Sequence, residues 1–127
     1  MKHLALWLDH AEARMFPVDG SKLDTFVVRS PERHIHRHDK HTVEREHPAD
    51  ALHYFEQIAR VLADAEEILV MGPATAKLEL VRHLHKHAPA IEKKIVGVET
   101  VDHPTDPQIV AYAKKYFVRV DQLHQSA

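Results

Sequence analysis

Apolar residues fall along this chain in two kinds of pattern. Short, nearly continuous runs mark strands: His3–Leu8 (HLALWL), Ala13–Val18 (ARMFPV), Leu23–Arg29 (LDTFVVR), residues 67–71, and Ile95–Val101 (IVGVETV). Within the fourth run, Ile68, Leu69, Val70 and Met71 show no polar alternation, the pattern of a strand covered on both faces. Elsewhere the spacing becomes helical. Leu52, Phe55, Ile58, Ala59 and Leu62 share one face of Asp50–Ala63, Leu78, Val81 and Leu84 carry the period over 74–87, and Ile109, Val110, Ala113 and Phe117 carry it from Thr105 to about Val120.

The punctuation agrees with these bounds. Asp19-Gly20-Ser21 is a turn, Pro17 demotes the end of the second strand to an edge or bulge, and Ser30-Pro31 ends the third. Gly72 permits a sharp turn after the fourth strand, and Pro73 suits the first turn of the helix that follows. Ala88-Pro89 breaks that helix, with room for one further turn over Ile91–Lys94. Thr105-x-x-Gln108 is a capping-box pattern with Pro107 in the first turn. The order is therefore β-β-β-α-β-α-β-α. It predicts a single α/β domain over residues 1–127 with a mixed five-stranded sheet: three antiparallel strands, then two βα units, with flanking helices. Right-handed crossovers place the later strands beside the first, the arrangement of ribonuclease H-like domains.

A chain of 127 residues with 44% hydrophobic and 28% charged residues has an ordinary globular composition. The absence of cysteine excludes disulfides and thiolate chemistry. Lys2 followed by Leu4–Leu8 is too short for a signal peptide, and no run is long enough to span a membrane, so the expected location is cytoplasmic. A formal net charge of −2 gives no overall polyanion-binding signal. Thirteen histidines are the anomaly, because they add positive charge as pH falls toward their ordinary pKa of about 6.5.

Histidines concentrate in a loop over residues 31–48 (PERHIHRHDKHTVEREHP) with almost no apolar side chains. In an extended chain His34, His36 and His38 point to one side and could hold zinc, with Asp39, His41 or His47 completing or supporting the site. The alternation resembles the His-x-His-x-Asp-His of metallo-β-lactamase-type hydrolases, with Asp39 out of register for it. Arg33, Arg37, Lys40 and Arg45, interleaved with histidine, equally suit RNA phosphates and stacking on bases. Glu32, Asp39, Glu44 and Glu46 offset that charge, which fits a plain solvated loop as well.

Other candidates are weaker. The turn at Gly72 and Lys77, at a strand-to-helix junction, is a place for an anion or phosphate-backbone contact. His83 and His87 lie four apart on one helix face, within reach of a shared metal, near a helix end that also favours cations. His103, in the DHPTD loop, faces the same sheet edge as Lys77, while Asp102, Thr105 and Asp106 suit turn and capping roles. A two-metal nuclease needs more carboxylates near the strand ends than Asp9, Asp19 and Asp24 provide. Ser21, Ser30 and Ser126 sit in no nucleophile elbow.

Gly72-Pro-Ala-Thr-Ala-Lys77-Leu-Glu-Leu80, directly after a buried strand, resembles the Gly-x-x-x-x-Lys-x-x-Leu/Phe stretch in the middle domain of archaeal and eukaryotic class-1 peptide-chain release factors and Pelota. The element order is similar to that domain's, so the resemblance covers most of the chain as a pattern. Stand-alone bacterial relatives, often labelled translational machinery proteins, are the group this chain looks like. In release factors the loop between the third strand and the first helix carries Gly-Gly-Gln, which promotes ester hydrolysis in the peptidyl-transferase centre. Residues 31–48 take that place here, and the chain's glycines, Gly20, Gly72 and Gly97, are nowhere adjacent. Pelota also lacks the motif and still acts at ribosomes, so the resemblance implies binding without peptide release.

The leading expectation is thus a non-catalytic, translation-associated protein that binds the ribosome or RNA through Arg33, Arg37, Lys40, Arg45, Gly72 and Lys77. The alternative is a metal-binding protein or metal-dependent hydrolase using His34, His36, His38 and His41, with zinc as cofactor. A homo-oligomer formed by paired sheet edges is a third reading.

Overall fold

Strands β1 (His3–Leu8), β2 (Glu12–Pro17) and β3 (Phe26–Arg29) are followed by α1 (Pro48–Leu62), β4 (Glu67–Gly72), α2 (Ala76–His87), the single turn α3 (Pro89–Glu92), β5 (Ile95–Thr100) and α4 (Asp106–Ser126). The computed structural model describes residues 1–18, 25–31 and 48–126. The strands form one mixed sheet in the order β3-β2-β1-β4-β5. β1 lies antiparallel to β2 and parallel to β4, and β4 lies parallel to β5 with a register shift between Ile68 and Leu69. The α/β class, the mixed five-stranded sheet and the later strands beside the first are as the sequence pattern predicts.

The run of apolar residues in β1 and β4 exists because both faces of the sheet are covered. Leu4, Leu6, Leu8, Ile68 and Val70 meet Tyr54, Phe55, Ile58 and Leu62 of α1 and Ala76, Leu80 and Leu84 of α2. Ala5, Trp7, Leu69 and Met71 face the other way, onto Ile109, Ala113 and Phe117 of α4. Each such large side chain, fully buried, contributes about 1.5–3 kcal/mol toward holding the sheet between its two helical layers.

Pro17 is not at a sheet edge, because β2 lies between β1 and β3. Its missing N–H is tolerated because the neighbouring Val18 N–H bonds to His3 on β1, which turns the Pro17 nitrogen toward the β3 side, where the pairs among the described residues are with Glu12–Met15. Pro73 precedes α2 rather than entering it. The helix starts at Ala76, with the Leu78 and Glu79 amides on the Thr75 carbonyl. The inner stripe of α2 is also rotated from the predicted one: Ala76, Lys77, Leu80 and Leu84 are buried, while Leu78 is 51% exposed. In α1, Tyr54 is inside and Leu52 outside. α4 runs to Ser126, six residues past the expected end at Val120.

Candidate functional site

The parallel strands β1, β4 and β5 end at one edge of the sheet, and the segments leaving them bring the chemistry together there. Asp9 follows β1, the Pro73–Thr75 bend follows β4, and Asp102-His103-Pro104 follow β5. Asp9 holds its own turn: Oδ1 accepts the amides of Ala11 (2.8 Å) and Glu12 (2.9 Å). Its other oxygen lies 3.7 Å from Nε2 of His103, whose Nδ1 lies 2.8 Å from Asp102 Oδ1. The imidazole therefore sits between two carboxylates, with its ring against Trp7 at a centroid distance of 5.1 Å. The Trp7 indole N–H anchors the loop by donating to the Asp102 carbonyl (2.8 Å), and the Val101 amide bonds to Gly72 (3.1 Å).

His103 also forms a wall shared by two cavities. One, about 500 Å³, is lined by Met71, Gln108, Ile109 and Tyr112. The other, about 240 Å³, is lined by Trp7, Asp9, Glu12 and Arg14. Arg14 is clamped between Glu12 and Asp106, each at 2.8 Å, and the bond to Asp106 leads in holding its guanidinium above its ordinary pKa. Beneath Asp9, the Tyr54 hydroxyl donates to the Asp9 carbonyl (2.9 Å), and burial, followed by the charges of Asp9 and Glu12, pushes its ionisation up. Tyr112, 3.2 Å from Glu99, is likewise raised, chiefly by burial. Among the described residues the His103 nitrogens pair with the carboxylates of Asp9 and Asp102.

Gly72 and Lys77 both lie at this edge, and both are inside it. A Cβ on Gly72 would fall on the carbonyl oxygen of Leu8, so glycine is required for β4 to end so close to β1. Lys77 is only 5% exposed, and its ammonium donates to the Ala74 carbonyl within the turn. Its spacing to Leu80 and Leu84, three and seven residues on, was the available sign that it shares their inner face. The start of α2 already has a carboxylate of its own. Glu79 accepts from the Thr75 hydroxyl (3.1 Å) and pairs with His10 (3.2 Å). Arg33, Arg37, Lys40, Arg45, His34, His36, His38 and His41 lie outside the described residues.

Thr105 and Gln108 form the expected reciprocal cap: the Thr105 amide donates to Gln108 Oε1 (2.9 Å) and the Gln108 amide to Thr105 Oγ1 (3.3 Å). His83 and His87 do meet, their rings tilted at 40° with centroids 4.7 Å apart. Burial first, and then the neighbouring His87, lowers the His83 pKa. Among the described residues, one group of three His, Asp or Glu side chains converges closely enough to hold a metal, and it includes neither of them. It is His3, Glu67 and Asp121, at the opposite end of the sheet.

No protein-family model and no curated protein sequence matches the chain. Solved structures do. The chain is similar to Pelota from Archaeoglobus fulgidus, with 16% identity and a TM-score of 0.67 over 98% of this chain and 35% of that one. It is similar to Pelota from Thermoplasma acidophilum, with 18% identity and a TM-score of 0.60 over 92% of this chain and 31% of that one. An archaeal translation termination factor gives 14% identity and a TM-score of 0.54 over 98% of this chain and 41% of its own. The chain thus spans about a third of the length of the two Pelota chains. The class defined is a small α/β domain with the fold found within Pelota and the termination factor, and at these identities the likeness is one of fold. No helix among the described residues is long and apolar enough to cross a membrane.

Proposed function

We propose that this chain is a non-catalytic, translation-associated binding domain of the cytoplasm that engages the ribosome or its RNA. The observation that carries the reading is the likeness of nearly the whole chain to part of Pelota and of an archaeal translation termination factor. Two features support binding over hydrolysis. The sequence has no adjacent glycines, and the described edge pairs His103 with acids rather than with a nucleophile.

The contacts fall to Arg33, Arg37, Lys40 and Arg45 of the histidine-rich arm, while Gly72 and Lys77 hold the turn from within. Neutralising phosphates with four cations releases counterions, so binding must weaken steeply as salt rises. Co-sedimentation of the purified chain with ribosomes between about 50 and 200 mM salt tests this. Pelleting at low salt is expected, with a shallower salt dependence when the four arm cations are replaced by glutamine. Failure to pellet at any salt would end the reading.

A further inference from the structure

We propose that His3, Glu67 and Asp121 bind one divalent transition-metal ion, zinc by the chemistry of the ligands, at the end of the sheet opposite His103. The three residues come from three elements. His3 opens β1, Glu67 opens β4 directly across the parallel register, and Asp121 belongs to the C-terminal part of α4. His3 Nε2 lies 3.1 Å from Glu67 Oε1 and 3.5 Å from Asp121 Oδ2. One ligand atom from each residue falls within 4.8 Å of the others.

Zinc takes imidazole nitrogen and carboxylate oxygen tetrahedrally at about 2.0–2.2 Å, which sets neighbouring ligand atoms about 3.3–3.6 Å apart. The two short separations fall close to that spacing before any ion is present. The His3 ring is held in place by Phe117, with centroids 4.5 Å apart. Its Nε2 is sealed from solvent and, although near Glu67, lacks the alignment of a hydrogen bond. The side chains of His3 and Glu67 are 12% and 20% exposed, so both ligand groups are only partly hydrated.

Two carboxylates converge on one imidazole, so the three ligands together supply the two negative charges that a dication answers. The donor set has one nitrogen, carboxylate oxygens and no thiolate, which suits zinc and disfavours copper(I). Glu67 also lines a cavity of about 550 Å³ with Lys94, Tyr116 and Val120, which leaves room beside the site for a water as fourth ligand. The ion is a clamp, tying the end of α4 to the starts of β1 and β4.

The arm and the His83–His87 pair offer other places for metal, so the test uses the full chain with His34, His36, His38, His41, His47 and His87 replaced by alanine. Zinc chloride is titrated calorimetrically, and melting is followed with and without it. One zinc per chain and a raised melting temperature are expected. Asp121→Asn, which keeps the shape of a partly exposed side chain, and His3→Gln should each abolish both effects while leaving the circular dichroism spectrum unchanged. Absence of stoichiometric zinc on this substituted background overturns the proposal. So does zinc binding that survives Asp121→Asn.

Discussion

The indole N–H of Trp7 and the main-chain carbonyl of Asp102, 95 residues apart in sequence, meet across 2.8 Å. That bond sets the loop after β5 against the end of β1 and so fixes where His103 lies. The connection it braces is the four residues 101–104 between β5 and the capping box of α4, held at its start by the Val101 amide on Gly72.

Trp7→Phe keeps most of the ring and removes the donor, leaving a part-buried carbonyl short of a partner. The expected cost is about 1–3 kcal/mol in urea unfolding, with faster amide exchange over residues 101–105. Unchanged stability and unchanged exchange would show that packing alone, and not this bond, holds the loop.

Gly72 and Gly97 make a matched pair of tests. A Cβ on Gly72 meets main-chain atoms of Leu8, which cannot move without displacing β1. At Gly97 it meets the ring end of Tyr116, the far end of a side chain that can shift at the loss of a long contact (3.4 Å) with the Val96 carbonyl and some ring contact with Tyr112 and Phe117. Gly72→Ala should therefore cost about 3 kcal/mol and Gly97→Ala about 1 kcal/mol. The reverse ranking of urea midpoints would contradict the account of why β4 ends where it does.

How far the fold was legible depends on whether the deciding contact was local. Ile68–Met71 announced a doubly covered strand because its apolar run was unbroken, and Thr105 with Gln108 announced a cap because both partners lie within one turn. Lys77 was harder to place. Its charge argued for solvent, while its spacing to Leu80 and Leu84 argued for the core, and the Ala74 carbonyl supplies the partner that lets it stay inside. Pro73 fits a helix start in isolation, yet the helix begins three residues later, where Thr75 supplies the first carbonyl. The His3–Glu67–Asp121 group was invisible, since only the β1–β4 register and the length of α4 bring those positions together. Trp7 and Arg14, which line one of the cavities beside His103, carry no local motif either.

Tyr54 links the core to the candidate edge through its bond to the Asp9 carbonyl, and Tyr54→Phe should cost about 1 kcal/mol near neutral pH. The same variant has an alkaline signature. Burial raises the folded-state pKa of this phenol above its ordinary value of about 10, so its contribution is complete below that value and is lost as pH rises beyond it. The wild-type protein should lose stability more steeply in alkali than Tyr54→Phe. Identical alkaline limbs in the two proteins would contradict this.

His83 predicts the opposite limb. Its ring packs between Phe55 and His87, at centroid distances of 5.5 and 4.7 Å, and burial is the main cause that lowers its pKa, with His87 adding and Glu56 opposing. The unfolded chain therefore binds a proton at His83 near pH 6.5, while the folded chain resists it until the pH is lower. Stability falls as pH drops through that window and levels off below the folded-state pKa. His83→Gln cannot titrate, so its urea midpoint should fall less than that of the wild type between pH 7 and about 5. His87→Gln removes the repulsion together with one ring that packs on His83, leaves the Phe55 side in place, and should give an intermediate slope, closer to the wild type in high salt, where that repulsion is screened. Parallel profiles for the wild type and His83→Gln would mean that the acid sensitivity arises among the other histidines.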